Sequence, residues 1–124
     1  MKIRNLIVGA SLLLALVSCD TKKEIRTVEV QEFKTEIAKD NIQIIDVRDA
    51  ELYSEGHIPG AKNIELSSEN FVDMIQTLDK DNPVAVYCRG GRQSAEAAQK
   101  LQDAGYEVIE LQGGFLTWDG EVEK

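Results

Sequence analysis

The chain has 124 residues, 22 acidic against 14 basic, for a formal charge of −8. An acidic body of this kind excludes binding to nucleic acid through a basic surface, and two cysteines with one histidine argue against a structural zinc cage. No metal or other cofactor is expected, and the length beyond the leader suits one domain with its own core.

Met1-Lys2-Ile3-Arg4 is a short basic head, and the apolar run from Leu6 to Val17 is too short to span a bilayer as a finished helix. Residues 1–18 read as a secretory signal. Leu16-Val17-Ser18-Cys19 resembles the lipobox of bacterial lipoproteins. That resemblance implies a diacylated Cys19 at the start of the mature chain, anchored in a membrane of the bacterial cell envelope with its domain on the periplasmic side. The alternative is an ordinary signal with a chance cysteine. Losing Lys2 and Arg4 makes the remainder more acidic still. With Cys19 consumed by lipid, Cys88 is the only thiol, so neither an internal disulfide nor C-x-x-C redox chemistry is available. The polar residues 19–26 read as a tether and residues 27–124 as one domain.

Thr27 to Val30 alternates as a short strand, and Gln31 to Ala38 has the spacing of one helix face. Asn41 to Val47 is a more continuously apolar strand, as a central parallel strand would be. Gly56-His57-Ile58-Pro59-Gly60 is a turn, and Ala61 to Ile64 a short strand. Ser68 is placed to cap a helix whose stripe is Phe71, Ile75 and Leu78. Val84 to Tyr87 is a β-branched run that stops at Cys88. A loop with two glycines and two arginines follows, and a helix from about Ser94 buries Ala97, Ala98, Leu101 and Ala104 before Gly105. Tyr106 to Leu111 is the last strand, and Gln112-Gly113-Gly114 turns into a segment holding Phe115, Leu116 and Trp118, aromatics read mainly as packing. Strands alternating with helices predict an α/β domain with a mostly parallel central sheet flanked by helices on both faces. Ligands in such sheets bind beyond the carboxyl ends of strands, where Cys88 sits.

The chemistry expected there follows from the loop. A helix start offers unpaired N–H groups and partial positive charge, Gly90 and Gly91 let the loop curl its amides inward, and Arg89 and Arg92 add fixed cations. These features favour the Cys88 thiolate. A buried structural cysteine is the alternative. On an acidic body, Arg89 and Arg92 form a local positive spot suited to a small anion.

Four pieces in order then resemble a single-domain rhodanese. They are Asp46-Val47-Arg48 with Glu51; Gly56-His57-Ile58-Pro59-Gly60-Ala61 with Asn63-Ile64; Tyr87-Cys88-Arg89-x-Gly91-Arg92-x-Ser94; and Ala104-Gly105-Tyr106 with Leu111-x-Gly113-Gly114 to Trp118. The resemblance implies a rhodanese-like fold and transfer of a sulfane sulfur from thiosulfate to cyanide or a thiol through a persulfide on Cys88. It also implies that the loop of Arg89, Gly90, Gly91, Arg92, Gln93 and Ser94 binds substrate and cradles the persulfide. With the nucleophile ionised by its loop, no separate general base is needed. Asp46, Arg48 and His57 are read as structural support, although each could be catalytic. Two other functions compete: a membrane-tethered persulfide carrier or protein-binding module without turnover, and a cysteine phosphatase or arsenate reductase. The latter enzymes resemble His-Cys-x5-Arg, whereas here Tyr87 precedes the cysteine and Ser94 stands in place of the arginine.

Overall fold

The computed structural model describes residues 23–124. The signal segment and Cys19 lie outside the described residues. Among the described residues no helix is long and apolar enough to cross a membrane.

Five strands form one sheet: β1 (Ile25–Val28), β2 (Gln43–Asp46), β3 (Lys62–Asn63), β4 (Val84–Tyr87) and β5 (Val108–Leu111). Their spatial order is β1-β5-β4-β2-β3, and every pairing is parallel. The expected mostly parallel sheet is therefore parallel throughout. Four helices accompany it: α1 (Val30–Ile37), α2 (Ala50–Glu55), α3 (Phe71–Ile75) and α4 (Arg92–Asp103), with a 3-10 turn at Gly114–Thr117.

Strand alternation sorts the core into two layers. Val84, Val86 and Cys88 point to one face with Ile45 and Val47, where Phe71 and Ile75 of α3 and Ala97, Ala98 and Leu101 of α4 cover them. Ala85, Tyr87, Ile109 and Leu111 point to the other, under Phe33 of α1, Ile58 and the partly buried Tyr53 of α2. Helices thus cover both faces. The small side chains of α4 bring its axis close to β4 and β5, which sets the start of that helix beside Cys88.

The boundaries differ from expectation in four places. β1 begins at Ile25, inside the expected tether, because Arg26 is held by Glu32 and Glu36 of α1 and Val108 donates its N–H to Glu24. A charged tripeptide that reads as solvated is paired in the fold. The helix α2 was not expected, since Ala50-Glu51-Leu52-Tyr53 is too short to show a period. Ser68 does not start α3: its hydroxyl accepts from the Asn70 N–H in the preceding turn, and the helix opens at Phe71. The helix α4 starts at Arg92, two residues before Ser94.

All three tyrosines are held above the ordinary phenol range, chiefly by burial. Nearby carboxylates add to this: Asp46 for Tyr87, Glu123 and Asp46 for Tyr53, and Asp79 for Tyr106. Unfolded phenols lose their protons near pH 10, so above that pH the native state binds more protons than the unfolded chain. The stability these phenols contribute is complete below about pH 10 and is lost as pH rises beyond it. In an alkaline titration, phenolate absorbance should therefore appear together with loss of far-ultraviolet dichroism; tyrosines that ionise near pH 10 in a still-folded domain would contradict this.

Candidate active site

Cys88 follows directly on β4, and its side chain is 1% exposed. Its sulfur accepts the Gly91 N–H at 3.0 Å, and its thiol donates toward Ser94 Oγ at 3.5 Å. Gly91 sits at the start of α4 with φ +101, a left-handed conformation that turns its N–H back onto the sulfur. A Cβ there would also lie 3.3 Å from the Gly113 nitrogen.

The loop is fixed from the turn after β5. Phe115 N–H donates to the Cys88 carbonyl at 2.8 Å and Leu116 N–H to the Arg89 carbonyl at 3.0 Å. This approach requires glycine at 114, which has φ +63 and would place a Cβ 2.5 Å from the Arg89 oxygen and 2.7 Å from the Cys88 oxygen.

Of the six loop residues picked out by sequence, the structure brings Gly91 and Ser94 to the sulfur. Arg89, Gly90, Arg92 and Gln93 are exposed. Ser94 is buried, and its hydroxyl faces Glu110 Oε2 at 2.7 Å and the Gly91 carbonyl at 3.2 Å. Glu110, on β5, was missed by the sequence reading. A charged residue on a strand covered on both faces is the signal that could have found it.

Asp46, Arg48 and His57 lie together on the opposite face of the sheet from the sulfur. Arg48 donates Nε to Asp46 Oδ1 and Oδ2 at 3.0 Å each and Nη2 to Oδ2 at 2.7 Å; Nη2 also reaches the Gly56 carbonyl at 2.7 Å. Burial opposes the Arg48 charge, but Asp46 outweighs it and holds the guanidinium above its ordinary range. His57 stacks flat on Tyr53 at 3.7 Å, with Nδ1 2.9 Å from the Tyr53 carbonyl and Nε2 3.3 Å from Glu123. The link from this cluster to the cysteine is Phe115, whose ring lies 4.3 Å from the Arg48 guanidinium and whose N–H holds the Cys88 carbonyl. Trp118 packs on the same side and donates its indole N–H to the Glu121 carbonyl.

Comparison with known proteins gives the family. A family model for the rhodanese-like domain matches residues 29–121. The thiosulfate sulfurtransferase GlpE of Coxiella burnetii is 40% identical over 97 residues, covering 77% of this chain and 86% of that protein. Its namesake from Shewanella oneidensis is 42% identical over 79 residues, covering 63% and 76%. Among solved structures, a rhodanese-like domain protein from Staphylococcus aureus superposes with a TM-score of 0.70 at 28% identity, covering 79% of this chain and 96% of that one.

The glycine at 114 gives a direct test of how the loop is held. Gly114→Ala combines left-handed strain with a clash against two carbonyls and should cost about 2–4 kcal/mol in urea denaturation. The rate of Cys88 alkylation should change with it. Gly60→Ala, at φ +85 but with its nearest neighbour 3.9 Å away, should cost only about 1–2 kcal/mol and leave Cys88 reactivity as it is.

Proposed function

The chain belongs to the rhodanese-like domain family, and from that membership we propose that it is a thiosulfate sulfurtransferase working through a persulfide on Cys88. The observation that carries the reading is the Gly91 N–H on the Cys88 sulfur at the carboxyl end of a central parallel strand. The names of the GlpE relatives point to the same donor.

In the first half-reaction the Cys88 thiolate attacks the outer sulfur of thiosulfate. The S–S bond of thiosulfate breaks, its electron pair leaves with sulfite, and the transferred sulfur stays on Cys88 as a persulfide. The exposed Arg89 and Arg92 attract the dianion and orient it. Loop amides, with Gly91 already aimed inward, stabilise the negative sulfur. In the second half-reaction cyanide or a thiolate attacks the terminal sulfur and Cys88 leaves, regenerating the free enzyme. Asp46, Arg48 and His57 touch neither sulfur nor the space above it; their part is to hold Phe115 and the neighbouring turns.

A cysteine phosphatase fits less well. Ser94 closes the loop where such an enzyme needs a guanidinium. In the cell, the reading extends to a lipid on Cys19 that holds the domain at the periplasmic face of a membrane; its support is Leu16-Val17-Ser18-Cys19 alone.

Intact-mass spectrometry of the domain with thiosulfate should show a gain of one sulfur on Cys88, removed by cyanide with thiocyanate released over many cycles, and no gain in Cys88→Ser. A single loading without turnover marks a carrier instead, and a reactive thiol that never gains sulfur overturns the transferase reading. For the anchor, the full chain expressed in bacteria should incorporate a fatty-acid analogue and fractionate with membranes. Cys19→Ser should lose the label; label retained in that variant would place the lipid elsewhere.

A further inference from the structure

Beneath the reactive loop lies a buried carboxylate that the two half-reactions above do not use. Glu110 is 6% exposed, and its partners among the described residues are two hydroxyls: Thr27 donates to Oε1 at 3.0 Å and Ser94 to Oε2 at 2.7 Å. The Thr27 contact follows from register, since Thr27 is directly opposite Glu110 in the β1–β5 pairing. Ser94 in turn receives the Cys88 thiol at 3.5 Å. One hydroxyl has one proton, and of its two acceptors, Glu110 Oε2 at 2.7 Å and the Gly91 carbonyl at 3.2 Å, the shorter, charge-assisted bond to the carboxylate claims it. Thiol, hydroxyl and carboxylate therefore form a donor chain with a single direction, from Cys88 to Glu110.

We propose that Glu110 is the proton acceptor for the Cys88 thiol, acting through the Ser94 hydroxyl. When the thiol ionises, the S–H bond breaks and its proton passes to Ser94 Oγ as the Ser94 proton passes to Glu110 Oε2. Sulfur keeps the electron pair, Glu110 becomes a neutral acid, and the pair carries one negative charge before and after. The role in turnover rests on the sulfurtransferase reading. Thiolate attack on thiosulfate leaves a persulfide above a protonated Glu110. When the acceptor thiolate takes the outer sulfur, the Glu110 proton returns through Ser94 to the departing Cys88 sulfur. The same carboxylate serves as base in the first half-reaction and as acid in the second. Glu110 touches no substrate; it is a positioning and proton-storing residue that acts through Ser94.

The surroundings leave the chain to these groups. From β1 the carboxylate faces Thr27, while Arg26 turns to Glu32 and Glu36 on the other face of the sheet. From β4 its register partner is Val86, and from α4 the buried residues are Ser94, Ala97, Ala98 and Leu101. The loop contributes Cys88, with Arg89 and Arg92 exposed.

The test is the pH profile of Cys88 alkylation by iodoacetamide, which needs no sulfur transfer and so stands apart from the activity assay. A thiol and carboxylate sharing one proton give a thiolate fraction that is constant between their two macroscopic ionisations. The wild-type rate should thus change by less than about twofold across the pH units around neutrality, whereas Glu110→Gln and Ser94→Ala should each rise about tenfold per pH unit below a single midpoint. Gln keeps the size of the side chain, its oxygen accepting from one hydroxyl while its amide group donates to the other, and far-ultraviolet dichroism checks that both variants fold. A purely structural role would scale the rate equally at every pH. A second measurement reads the proton itself: infrared difference spectra of the persulfide form should show a carboxylic-acid band that is absent in Glu110→Gln. Parallel wild-type and variant pH profiles, or a persulfide form without that band, would overturn the proposal even in an active sulfurtransferase. An intact profile in an enzyme that takes up no sulfur would leave the relay standing and remove only its role in transfer.

Discussion

Two backbone hydrogen bonds, from Phe115 and Leu116 to the carbonyls of Cys88 and Arg89, hold the reactive loop in place. They tie the end of β4 to the turn after β5, so the cysteine is located by the sheet rather than by its own loop. The geometry works because Gly113 and Gly114 both take positive φ and Gly114 carries no Cβ to strike the two carbonyls. With both loop carbonyls engaged on that side, the following amides are free to turn inward. Gly91, left-handed in its turn, completes this by aiming its N–H at sulfur. Glycines from two distant parts of the chain thus make one site.

The buried Asp46–Arg48 pair acts on the same constraint from the opposite face. Desolvation makes such a pair weak evidence for stability, and its value here is positional. Arg48 saturates Asp46 and the Gly56 carbonyl and presents its flat guanidinium to the Phe115 ring, which fixes the residue whose amide holds Cys88. His57 belongs to this support. Its ring is sandwiched by Tyr53 and tied to the Glu123 side chain, while its backbone pairs with Glu123 in both directions. A histidine so engaged closes the last residues of the chain over the turn, and its nitrogens face away from the thiol chemistry.

The α/β class, the order of elements and the position of Cys88 at a strand end were legible because each rests on local pattern: a β-branched run, a glycine loop, a small-residue helix. What was hidden depends on tertiary pairing. Lys23 to Arg26 reads as solvated until Glu32 and Glu36 are known to lie across from Arg26. The helix α2 is one and a half turns long and owes its existence to Tyr53 packing rather than to a period of its own. In the loop, sequence could name six residues but could not say that Gly91 and Ser94 are the ones bonded to the sulfur. Glu110 was overlooked because one acidic residue in a short strand carries no signal until the strand's place is known: β5 lies between β1 and β4, and Glu110 is buried there.

This placement changes the electrostatic picture of the site. The exposed arginines and the Gly91 amide on the sulfur favour negative charge there. The carboxylate two hydrogen bonds away works against them. Two full anions separated by roughly 6 Å repel by about 3 kcal/mol at the effective dielectric of a partly buried pair. On the proposed sulfurtransferase reading the site also admits a dianion, which a second permanent charge behind the nucleophile would oppose. Ser94 resolves this by connecting the two groups: the proton that leaves sulfur neutralises the carboxylate, so the thiolate appears without a rise in buried charge. An apolar residue at 110 would spare the repulsion but would take away the acceptor nearest the buried Ser94 hydroxyl, leaving it the longer bond to the Gly91 carbonyl. The carboxylate is therefore bound into the fold by the same two hydroxyl bonds that make it able to exchange a proton with Cys88.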